Sequence, residues 1–76
     1  MEFSISIPKE QLEDKLIKLY ELQFEPISKD KITLKNNFIM IFQYNGKETE
    51  TKAYNILTEN QFIAGYHGNH KINEYK

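Results

Sequence analysis

Residues 38–42, Phe38-Ile39-Met40-Ile41-Phe42, form the longest uninterrupted apolar run of this chain. The run stands between two pairs that are typical of tight turns, Asn36-Asn37 and Asn45-Gly46. It predicts a strand that is apolar on both faces, and such a strand needs a cover on each. Because the rest of the chain offers one clear helix, the second face is expected either to be closed by another part of the chain or to receive a partner.

The segment before this run predicts a strand followed by a helix. Phe3, Ile5 and Ile7 alternate with polar residues, which is typical of a strand with one buried face. Pro8 ends that strand and is well tolerated in the first turn of a helix. A helix is predicted over residues 9–23, where one face is marked at helical spacing by Leu12, Leu16, Leu19, Tyr20 and Gln23.

Residues 31–35 predict the next strand, which pairs with the apolar run through a two-residue turn at Asn36-Asn37. That turn places Leu34 opposite Ile39. One face of the pair is then apolar throughout, and this face is expected to receive the helix. It is formed by Ile32, Leu34, Ile39 and Ile41.

Beyond Asn45-Gly46, the alternation of residues 47–54 predicts another strand. A two-residue loop before it would bury unpaired charges beneath the helix, at a cost of several kcal/mol each. A three-residue loop with Gly46 in the left-handed conformation avoids this and is therefore expected. A second helix over residues 50–60 is the alternative, which the acidic start of that segment allows.

These segments together predict a single domain of the α+β class over residues 1–76. It consists of a strand, a helix and an antiparallel meander, followed by a terminal hairpin of residues 61–66 and 71–75 across Gly68-Asn69. The expected architecture has about five to six strands, with one helix packed on one face of the sheet.

The sheet face without a helix is the predicted binding surface, and it comprises Phe38, Met40, Phe42 and Tyr44, with Lys31 and Lys35 at its border. A covered aromatic side chain buries roughly 150–250 Å², so this face exceeds the apolar patch that a monomer usually leaves in water. The sequence leaves four alternatives for what covers this face. They are the terminal hairpin or residues 54–57, a second copy of the chain as a homodimer, a different protein, and single-stranded nucleic acid stacked on Phe38 and Phe42.

The composition narrows the class of function. The chain has ten lysines, no arginine and a net charge of −1, so no overall charge attracts it to nucleic acid or to an anionic membrane. It has no cysteine, which excludes disulfides, thiol nucleophiles and cysteine zinc sites. Neither a leader nor a membrane span is expected, and a soluble, cytoplasmic protein is the default expectation. Residue types with A/T-rich codons account for 39 of 76 residues, which favours a gene of low-GC origin, as in some bacteria and their phages.

Candidate catalytic or metal-binding residues are few. His67 and His70 flank a predicted turn, but a stable metal site needs three or four ligands, so neither a metal nor another cofactor is expected. The serines and histidines show no spacing that indicates a catalytic pair, and an enzyme is not expected. The favoured function is a small non-catalytic protein-binding module, an accessory or inhibitor protein of a phage or mobile element that acts by stoichiometric binding to a host protein. The alternative is single-stranded nucleic-acid binding by the aromatic face with its bordering lysines.

Overall fold

A computed structural model describes residues 1–27 and 32–67, which build one antiparallel sheet with two helices. The predicted α+β class is therefore confirmed. The elements are β1 (Glu2–Pro8), a 3-10 turn (Lys9–Gln11), α1 (Leu12–Glu21), β2 (Phe24–Pro26), β3 (Ile32–Leu34), β4 (Asn37–Tyr44), α2 (Glu50–Glu59) and β5 (Ile63–His67). The strands follow the order β2-β4-β1-β5, and β3 also pairs with β4.

The sheet has four strand positions, and the predicted count of five to six strands is not confirmed. β4 pairs with β1 along one edge. Its other edge pairs with β3 at one end and with β2 at the other. The chain after β4 continues into α2 rather than into a further strand of a meander. The second half of the predicted terminal hairpin, residues 71–75, lies outside the described residues.

β1 is a central strand, and its pairing decides which face of the sheet is buried. Phe3 pairs with Phe42, and Ile5 pairs with Met40. Paired residues of neighbouring strands point to the same face. On that face the fully buried side chains of β1 and β4 meet those of both helices, and the core contains Phe3, Ile5, Ile7, Leu19, Phe24, Phe42, Tyr44, Ala53, Leu57 and Phe62.

The prediction of which sheet face the helix covers is therefore wrong. We expected the helix on the face of Ile39 and Ile41, but the core lies on the face of Met40 and Phe42. The reason is the pairing of β1 with β4, which places the buried side chains of β1 on the same sheet face as Met40 and Phe42. The sequence-based prediction considered only segments that are adjacent in the chain, so it did not include the pairing of β1 with β4. On helix α1, the predicted inward positions are confirmed for Leu19, which is buried, and for Leu12 and Leu16, which pack against the core.

The hairpin between β3 and β4 uses a different turn from the predicted one. Leu34 pairs with Asn37, so the turn residues are Lys35 and Asn36. Lys35 has a φ of 54°, a left-handed conformation that such tight turns require. The register differs by two residues from the predicted one, in which Leu34 faced Ile39. A shift of two leaves every residue of the strand on its predicted face.

Residues 50–59 form α2, so the preferred strand over residues 47–54 is wrong and the alternative helix is correct. Thr49 is the N-cap, and its hydroxyl accepts a hydrogen bond of 3.2 Å from the backbone N–H of Lys52. Ala53 and Leu57, four residues apart, lie on one face and are completely buried. Burial of this face and the cap outweigh the low helix propensity of the threonines.

Gly46 has a different role from the expected left-handed bulge, because its φ lies outside the left-handed region. The side chain of Tyr44 folds against the loop that leads to α2. A Cβ atom at Gly46 would overlap the hydroxyl group and ring of Tyr44. The same hydroxyl accepts a hydrogen bond of 3.3 Å from the backbone N–H of Glu48. Glycine is therefore needed here for close approach rather than for backbone conformation.

Candidate functional site

The predicted binding surface lies mostly inside the molecule. Phe42 is 0% exposed, Tyr44 is 8% exposed, and Met40 packs against the core. Phe38 is partly buried, and the Nζ atom of Lys9 lies 5.7 Å from its ring centroid. The face is thus covered by the chain itself, and residues 54–57, one of the four expected covers, belong to the helix on this side.

The aromatic surface that the two lysines were predicted to border is not accessible. Lys35 is exposed in the turn before β4, and Lys31 lies outside the described residues. The rings nearby are engaged in packing within the core, since the centroids of Phe24 and Tyr44 are 4.9 Å apart and those of Phe3 and Phe24 are 5.8 Å apart. A fully buried Phe42 offers no face on which a base can stack.

Helix α1 carries the most exposed apolar pair of any helix that the structure describes. Ile17 is 59% exposed and Tyr20 is 57% exposed. Residues three apart are neighbours on a helix surface, so the two side chains form one patch. We call it the helix patch. Tyr20 was expected on the buried side of the helix, but the buried side is centred on Leu19.

Carboxylates flank the helix patch along the helix. Exposed carboxylates lie one turn before and one turn after Ile17, at Glu13 and Glu21. Lys15 is directed elsewhere, because its Nζ atom lies 4.8 Å from the ring centroid of Phe62. The exposed positions of the helix and of the turn before it combine two apolar side chains with charged groups of both signs. The four carboxylates of Glu10, Glu13, Asp14 and Glu21 outnumber the two ammonium groups of Lys9 and Lys18.

The second exposed apolar region is the sheet face opposite the helices, which we call the open sheet face. Its centre is formed by Ser4, Ser6, Ile39, Ile41 and Ile63. Ile63 is 72% exposed, and the two isoleucines of β4 are partly buried by their neighbours. Ser6 lies between Ile39 and Ile63, and Ser4 lies between Ile41 and Gly65.

The two ends of the open sheet face differ in charge. At one end, Gln43 pairs with both Glu2 and Glu25, which brings two carboxylates into one row. At the other end, Pro8 pairs with Asn37, directly after the turn that contains Lys35. The rows between these ends carry no charged residue among those that the structure describes.

No metal-binding group is present among residues 1–27 and 32–67, where no three histidine, cysteine, aspartate or glutamate side chains cluster. His67 is exposed at the end of β5, and His70 lies outside the described residues. A cleft of about 330 Å³ lies beside α2, with Glu48 and Lys52 in its wall. Their ion pair of 3.9 Å is exposed, and the core of the described part contains no buried polar residue that a ligand would satisfy.

No family model, curated protein or solved structure matches this chain. Within the part that the structure describes, neither helix is long and apolar enough to cross a membrane. Sequence reasoning missed the helix patch because it followed the apolar stripe of α1 and gave Ile17 no role. The available signal was the position of Ile17, an apolar residue on the charged side of that stripe.

Proposed function

We propose that this protein is a small non-catalytic binding module that acts stoichiometrically on another protein, as an accessory or inhibitor protein. The observation that supports this proposal is the helix patch, where Ile17 and Tyr20 are both more than half exposed on one helix face. Exposed apolar side chains contribute free energy when a partner covers them, and aromatic residues are common among those that dominate binding.

The charges around the helix patch indicate the kind of surface that a partner would present. Carboxylates at Glu13 and Glu21 stand on either side of Ile17, so a complementary surface presents an apolar socket with lysine or arginine side chains at its rim. Rim charges affect the association rate and its salt dependence more than they affect affinity. We therefore expect association that slows moderately as the salt concentration rises, with a complex that persists.

Affinity capture with matched variants tests this function. The wild-type protein and the double variant Ile17→Ser/Tyr20→Ser are immobilised and used to capture proteins from a bacterial lysate. Because both side chains are exposed, the double variant should keep the urea midpoint of the wild type. It should lose the protein that the wild type retains in a stoichiometric amount.

The control for this capture experiment is Ile63→Ser, which removes an exposed isoleucine from the open sheet face. It should retain the captured protein. Capture of the same protein by the double variant would contradict the proposal. The absence of any stoichiometric partner of the wild type would contradict it as well.

A further inference from the structure

We infer that the open sheet face is a homodimer interface, in which a second copy of this chain lies face to face on the first and is turned end for end. This inference goes beyond the proposed function, because the helix patch lies on the other side of the molecule. It is based on the area of the face, on its uncharged centre and on the opposite charges at its two ends.

The area of the open sheet face is sufficient for a weak dimer. Four strand positions at ~4.8 Å and a strand such as β1 at ~3.3 Å per residue make a face of roughly 450 Å². Two such faces, with their side chains, bury on the order of 1,000 Å² in total, which is the lower limit for a specific interface. An interface of this size is typical of weak, reversible association.

The centre of the open sheet face is suited to contact with itself. Its two central rows carry no charge. One contains Ile39, Ser6 and Ile63, and the other contains Ile41, Ser4 and Gly65. Two copies can therefore bring these rows together without burying a charge.

The charges at the ends determine the orientation of the second copy. A copy in the same strand direction would bring Glu2 and Glu25 against the same two carboxylates of its neighbour. Like charges in contact are unfavourable. A copy that is turned end for end instead places Glu2 of each copy near the end of its neighbour that contains Lys35. This arrangement has twofold symmetry, as in most homodimers.

Sedimentation equilibrium tests the interface at protein concentrations up to about 500 µM, at which a dimer with a dissociation constant on the order of 100 µM or lower is readily detected. The wild type should show a reversible monomer–dimer equilibrium. Ile63→Lys should weaken the dimer by at least about tenfold, because it introduces a charge into the uncharged part of the face. The matched control Ile17→Lys, on helix α1, should leave the equilibrium unchanged. A wild type that stays monomeric would overturn the inference, as would an unaffected Ile63→Lys variant.

Charge exchange tests the orientation. Glu2→Lys and Lys35→Glu should each weaken the dimer by a few-fold in low salt, because each places like charges together. The double variant Glu2→Lys/Lys35→Glu should restore the association, since the pair is then reversed in sign across the interface. If the double variant dimerises no better than the single variants, the end-for-end arrangement is overturned. Circular dichroism of each variant verifies that it is folded.

Discussion

At the scale of single residues, Gly46 shows how a close contact rather than backbone conformation can require glycine. Its neighbour in this contact, Tyr44, lies at the edge of the core and holds the loop that leads to α2. The aromatic ring also contacts Phe24. Tyr44 thus joins the sheet core to the start of the second helix, and space for its hydroxyl group is essential.

We predict that Gly46→Ala destabilises the protein by about 1–3 kcal/mol, because the added methyl group forces Tyr44 or the loop to move. The urea midpoint measures this loss. Gly65→Ala is the matched control, since its Cβ atom would meet only the Ser4 hydroxyl oxygen, at 4.0 Å. It should change the free energy of unfolding by less than about 0.5 kcal/mol. Equal effects of the two substitutions would contradict the proposed role of Tyr44.

At the scale of elements, α2 depends on its N-cap. Thr49 satisfies one of the backbone donors in the first turn of the helix, through the N–H of Lys52. Thr49→Ala should therefore lower the free energy of unfolding by about 0.5–2 kcal/mol, as measured by urea denaturation. Thr51→Ala, at an exposed position inside the same helix, should be neutral or slightly stabilising. A stability loss at Thr51 that matches the loss at Thr49 would contradict the capping role.

The elements differ in how well the sequence predicts them. The alternation of β1, the apolar run of β4 and the leucine spacing of α1 are local signals, and all three elements are present. In α2 the local signals conflict, because threonines favour a strand while Ala53 and Leu57 have helical spacing. The end of α2 is also hard to recognise. Gln61 adopts a φ of 69°, a conformation for which glycine is the usual signal.

The candidate site was less predictable than the elements. The alternation of β4 correctly divides its residues into two faces, but both faces are apolar, so local pattern cannot decide which one is the core. The pairing of β1 decides it, and this pairing joins segments that are distant in the sequence. Phe42 and Tyr44 were predicted on the binding surface but lie in the core, while Ile39 and Ile41 lie on the open sheet face.

At the scale of the whole molecule, the burial of the aromatic face predicts how the loss of its aromatic side chains affects folding. The double variant Phe38→Ser/Phe42→Ser should be largely unfolded in the absence of urea, because the loss of buried Phe42 alone costs about 3–5 kcal/mol. This is comparable to the entire stability of a small domain. Near-ultraviolet circular dichroism and thermal melting measure the loss.

The variant Ile17→Ser/Tyr20→Ser provides the comparison for this double substitution, since it also removes two large apolar side chains but from exposed positions. It should melt within a few degrees of the wild type. A folded Phe38→Ser/Phe42→Ser variant would show that the aromatic face does not stabilise the fold.

The central position of β1 has a consequence for how the protein is made on the ribosome. Phe3 pairs with Phe42 on one side and with Tyr66 on the other, so β1 is translated before either of its neighbours. At roughly 5–20 residues per second, about 3–12 s pass between the synthesis of β1 and that of β5. During this interval the apolar side chains of β1 lack their final cover, and such transiently exposed apolar surface favours aggregation. Within this sheet, the strand that is synthesised before its neighbours is thus among the last to be completed.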